Sequence, residues 1–145
     1  MAGLRAYAFR AELAGHPGVV RTVAIRDDQT LEQLHEALRL AFGWFDPHLY
    51  SFWIGGDFWD RVADEYTAPF ELEERGERAC SARVPIAELG PKKGARLAYV
   101  FDFGDEWRVR LKIVDTWEAE DEAYPMLVEA EGAAPPQYAD AEDED

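Results

Sequence analysis

His48, Asp46, Asp57, Asp60, Asp102 and Asp105 are the side chains whose types could gather a divalent ion or polarise a water molecule. Such an ion needs several convergent nitrogen or oxygen ligands, and a catalytic zinc takes three from the protein and keeps one position for water. No His-x-x-x-His spacing supports a site, and beside Pro47 the imidazole of His48 serves equally well as a backbone hydrogen-bonding group. His48, Asp102 and Asp105 stand as weak metal candidates, and no cofactor is expected. Asp102-Phe103-Gly104 matches the magnesium-binding tripeptide of protein kinases, yet the chain lacks a glycine-rich phosphate loop and a catalytic His-Arg-Asp. Cys80 falls in a charged stretch read as a loop with no neighbouring His, and Ser51 sits inside a strand pattern rather than on a strained elbow. Neither has the positioned base that a nucleophile needs.

Positioning these groups falls to a small set of elements. Tyr7, Phe9, Ala11 and Leu13 alternate with polar residues, and Val19 to Ile25 is rich in β-branched residues, so the two runs read as a hairpin across Ala14–Gly18. Thr30 with Gln33 three places on spells a capping box. Leu31, Leu34, Leu38, Ala41 and Phe42 follow at helical spacing up to Gly43, which predicts a helix over 31–42. His35 is placed on the helix flank and His16 in the hairpin turn, leaving His48 as the imidazole near the aromatics. Leu49 to Ile54 reads as a strand, 61–83 as a loop or edge excursion, and Val84–Leu89 as a short helical turn ended by Gly90-Pro91. Tyr124–Val128 could add an edge segment. Consecutive strand residues face opposite ways, so Phe52 and Trp53 imply at least one large exposed aromatic unless both faces are covered.

The stretch 95–115 is a second hairpin. Opposed residues in an antiparallel pair have a constant index sum and share a face, so Leu97, Tyr99, Phe101 and Phe103 join Trp107, Val109, Leu111 and Ile113 only if that sum is even. A three-residue Gly104-Asp105-Glu106 loop meets this condition. It pairs Phe101 with Val109 and sets Asp102 against Arg108 as a structural pair. The expected fold is α+β, a mostly antiparallel sheet with one main helix packed on one face. Residues 1–128 form its single domain, and 129–145 a flexible acidic tail.

Charge narrows the function classes. The chain carries 30 acids against 15 bases for a net charge of −15. From Asp115 to Asp145 there are 12 acids and no base, so the body is close to balance. An acidic end keeps a protein soluble or docks on a basic partner, and it disfavours direct contact with a phosphate backbone. A lone Cys80 excludes an intramolecular disulfide and suits the reducing cytoplasm. No apolar run reaches the length of a membrane span, so no membrane partner is expected.

The order of these elements carries a resemblance. A Thr-capped helix, Ala41-Phe42-Gly43-Trp44, His48-Leu49-Tyr50-Ser51-Phe52 and Phe101-Asp102-Phe103-Gly104-Asp105-Glu106-Trp107 together resemble the plasmid pRiA4b ORF-three-like family over about residues 4–138. The resemblance implies a compact α+β domain associated with bacteria, plasmids and mobile elements, and it brings no established activity. The family pattern often has a His two residues after the hairpin Trp, where this chain has Val109. Val20 stands where a Trp commonly precedes the matched Arg21, and Pro135-Pro136-Gln137-Tyr138 lacks the acids of the family element. The expected function is a cytoplasmic interaction or ligand-binding domain with a protein or small-molecule partner. Its candidate surface is Asp46, His48, Tyr50, Asp102, Asp105, Glu106 and Trp107. The alternatives are a metal-assisted hydrolase using His48 with nearby carboxylates, and an acidic nucleic-acid mimic.

Overall fold

In a computed structural model of the chain, which describes residues 4–75, 79–120 and 122–138, the first two strands are β1 (Arg5–Leu13) and β2 (Val20–Arg26). They pair antiparallel, with Phe9 opposite Val23 and Ala11 opposite Arg21. Helix α1 (Leu31–Phe42) follows with the expected ends: Thr30 accepts from the Gln33 amide, the Gln33 side chain closes the capping box, and Gly43 takes a left-handed φ of 84°. Leu31, Leu34, Leu38 and Phe42 are buried on its inner stripe.

Next come β3 (Tyr50–Ile54), β4 (Asp64–Thr67), a short α2 (Leu72–Arg75), β5 (Ala79–Ser81), β6 (Arg96–Phe101), β7 (Trp107–Glu118) and β8 (Met126–Glu131). A 3-10 turn at Ile86–Leu89 follows Pro85 and ends at Gly90 in a left-handed conformation. The described strands form one eight-stranded sheet in the order β5-β4-β3-β6-β7-β1-β2-β8, antiparallel throughout except between β4 and β5.

This corrects the expectation of an α+β fold, a mostly antiparallel sheet with one main helix packed on one face. The sheet is the body of the molecule, and α1 is the only helix longer than four residues among those described. Stretches without a clean period, 61–83 and 116–139, still supply β4, β5 and, over the expected edge segment, β8, because pairing with an existing neighbour can recruit a segment whose own pattern is weak. Cys80 therefore lies on the edge strand β5, opposite Tyr66, and not in a loop. β8 runs past residue 128, where the tail was expected to begin. The acidic end at 140–145 lies outside the described residues.

The second hairpin keeps the expected parity and changes register. Tyr99 opposes Val109 and Phe101 opposes Trp107, two residues tighter than the expected pairing. A five-residue connection, 102–106, replaces the three-residue loop. Asp102 leaves the strand with φ 66°. Its Oδ1 accepts from the amides of Gly104 (3.1 Å) and Asp105 (3.3 Å), so the carboxylate organises its own turn. Arg108 binds Glu106 at 2.7 Å, not Asp102. Phe103 crosses to the opposite face and meets Trp59, ring centroids 5.0 Å apart.

Both faces of the sheet are thus occupied around β3. On the helix side, Phe9, Phe52, Tyr99 and Phe101 join α1 in the main core. On the other side, Trp53, Ala98 and Val100 are covered by Phe58, Trp59 and Phe103. Phe52 and Trp53 are both fully buried, which removes the expected exposed aromatic at that position.

Candidate binding groove

The groove begins from what α1 does not cover. Arg21 is buried on the helix-facing side of β2, and its guanidinium donates to the carbonyls of Ala41 (3.0 Å), Val20 (2.8 Å) and Glu131 (2.7 Å) while lying over the Phe42 ring. It ties the last turn of the helix to β2 and β8, where a cation also favours the negative end of the helix dipole. With that end anchored, the outer flank of α1 faces the segment 47–50 across an open groove of about 910 Å³. Glu32, Glu36, Ala37 and Leu40 line the helix wall, Pro47, His48 and Leu49 the other, and Tyr50 and His35 the base; Phe70 and Pro125 also line it. Leu40 and Phe70 are 53% and 75% exposed.

His35 is the buried imidazole of this site, stacked on Tyr50 at 3.5 Å between ring centroids. The expected flank position misjudged it. Four residues after Leu31 and three before Leu38, it lies on the buried stripe, and that spacing was the available signal. Nδ1 lies 2.7 Å from the Tyr99 hydroxyl, and Nε2 is 3.3 Å from Oε2 of Glu36. A neutral imidazole carries one donor and one acceptor nitrogen, and Nδ1 shares its hydrogen bond with the Tyr99 hydroxyl. Burial, reinforced by the charge of Arg39, lowers the imidazole to about 3. It outweighs Glu36, whose half-exposed carboxylate is already held by Arg39 at 2.6 Å.

Tyr50 is buried, and among the described residues its hydroxyl has no hydrogen-bond partner. Burial first, then the carboxylates of Glu32 and Glu36, push the phenol upward, so it stays protonated as a donor. The indole N–H groups of Trp44, Trp53 and Trp107 also lack partners, but they sit in ring clusters, whereas Tyr50 lines the groove.

The residues singled out from the sequence divide between this groove and other places. His48 and Tyr50 line it. His48 Nε2 is 2.8 Å from the Tyr138 hydroxyl and 3.6 Å from Asp102, which is buried beside it. Asp46 is clasped through its backbone: Gln137 accepts from its amide and donates to its carbonyl. Asp105 is exposed at the hairpin tip, and Glu106 accepts from the Trp59 indole at 3.0 Å. Trp107 turns inward onto Trp44, ring centroids 5.5 Å apart. Asp57 instead pairs with Arg110, and Asp60 accepts from the amides of Val62 and Ala63. Among the described residues no three His, Cys, Asp or Glu side chains gather closely enough to hold a metal ion.

A sheet-dominated domain with a groove between its one long helix and a neighbouring segment is the class that this geometry defines. Residues 5–142 match the plasmid pRiA4b ORF-3-like protein family, to which the chain belongs. A similar protein is the uncharacterized protein y4hQ of Sinorhizobium fredii, 35% identical over 121 residues, which are 83% of this chain. The match spans 59% of that relative's length. The crystal structure of MM3350 from Methanosarcina mazei, a protein of unknown function, shares the fold with a TM-score of 0.74 at 22% identity, over 94% of this chain and 74% of that one. No helix among the described residues is long and apolar enough to cross a membrane.

Proposed function

We propose that this domain is a binding module whose groove receives a segment of a partner protein, one that presents an apolar side chain beside a lysine or arginine. The observation that carries the reading is the juxtaposition of exposed Leu40 and Phe70 with the carboxylates of Glu32 and Glu36, which hold Arg83 (3.2 Å) and Arg39 (2.6 Å) in weak surface ion pairs that a partner cation can share. Exposed apolar side chains lining a concave surface are the anchors that peptide grooves use, and flanking carboxylates select a cationic neighbour.

The test is selection of the full chain against a peptide library that varies apolar and basic positions. Enrichment of peptides pairing an apolar residue with Lys or Arg, abolished by Leu40→Asp and Phe70→Asp, is the expected result. Recovery of peptides without that pattern, or binding indifferent to both substitutions, would remove the groove as the site.

A further inference from the structure

On the face of the sheet opposite α1, charge is arranged against the sign of the whole molecule. Arg96 on β6 opposes Lys112 on β7, and Lys112 opposes Arg10 on β1, so three cations share one cross-strand row. Directly opposed residues share a face about 5 Å apart, and like charges so placed are destabilising. The row continues through Thr22 and meets an acid only at Glu129 on the β8 edge, two strands beyond Arg10. Arg110 lies two residues along β7 from Lys112, and the turn entering β6 adds exposed Lys92 and Lys93.

Neighbouring cations on this face show the usual compensation: Arg10 pairs with Glu12 at 2.8 Å and Arg110 with Asp57 at 3.2 Å. Arg96 and Lys112 are exposed and form no ion pair among the described residues. A row of like charges held together at a cost, and partly left free, calls for an external anion.

We infer that this open sheet face binds the phosphate backbone of a short single-stranded nucleic acid. A protein occupant would need apolar anchors for its affinity, and none of the large exposed apolar side chains lies in these rows. The residues beside the row are the small, buried Ala8, Ala24 and Ala98 and the exposed acids Glu12 and Asp115, with no large apolar side chain among them. Phosphate contacts alone can carry nucleic-acid affinity, and a flexible strand can follow cations that run both across and along the strands. The net charge of −15 does not forbid this, since charges more than about 8 Å apart are largely screened at physiological salt. The expectation against phosphate-backbone binding counted charges along the chain, whereas the sheet brings Arg10 beside residues some hundred positions away.

Fluorescence anisotropy with labelled oligo-dT and oligo-rU, read on the full chain, tests the inference. Four released counterions give a log–log salt slope near −3, so affinity should fall about 50-fold between 50 and 200 mM salt. Arg96→Ser with Lys112→Ser should weaken binding at least tenfold at 50 mM with an unchanged melting temperature or a small rise. Arg83→Ser, which removes an exposed cation paired with Glu32 on the other side of the sheet, should have no effect. No oligonucleotide binding at 50 mM salt, binding untouched by the double substitution, or preferential binding of a labelled oligo-glutamate peptide would overturn the inference.

Discussion

The two faces of the sheet solve opposite problems. The helix side buries polar groups and satisfies some of them: Arg21 is spent on three carbonyls and His35 bonds Tyr99, while the Tyr50 hydroxyl and the Trp44 and Trp107 indoles have no partner among the described residues. The opposite face buries an aromatic cluster around Trp53 at one end and carries bare cations at the other. A buried polar group without a partner and a crowded charge without a counterion are both costs that folding alone does not remove. Their position on separate faces marks two independent surfaces.

Removing Trp53 would disturb this contrast most. Trp53→Ala empties the centre of the smaller core under Trp59 and should cost about 3–5 kcal/mol in urea unfolding. A loss below 1 kcal/mol would mean that the second face contributes little to stability. Arg21→Met should follow, at about 2–4 kcal/mol, because three carbonyls lose a charged donor.

His35 offers a pH test of the helix side. Its folded value of about 3 lies below the 6.5 of an unperturbed histidine, so between those limits the unfolded chain binds the extra proton. Stability from this group is complete above pH 6.5 and declines as pH falls toward 3, by up to about 1.4 kcal/mol per unit. His35→Gln should flatten that limb of the urea-midpoint profile; an unchanged slope would show that other groups set it.

Thr30→Ala should cost about 1 kcal/mol by removing the α1 cap. The smallest expected effect lies on the other face. Lys112→Ser should leave stability unchanged or raise it by a few tenths of a kcal/mol at low salt, with the gain vanishing at high salt. A clear destabilisation would show that the cationic row is held by contacts within the fold.

Much of this architecture was legible in the residues. Thr30, Gln33 and Gly43 specified both ends of α1, because capping is decided within a few residues. Alternation along 97–113 required an even pairing sum, since one step of slip exchanges the two faces. Local pattern could not choose between two even registers. That choice lay with Asp102, whose carboxylate captured the turn amides, and with Phe103, which found Trp59 on the far side. The site depended still more on tertiary structure. His48 and Tyr50 stood out as candidate types, but Leu40, Phe70 and the Glu32–Glu36 flank form a groove only once α1 is fixed beside 47–50. Arg10, Arg96 and Lys112 are unremarkable along the chain and become one charged row only where β6, β7 and β1 lie side by side. Caps and alternation act between near neighbours, so the sequence alone determined them; grooves and rows join distant residues, and only strand order and helix docking could create them.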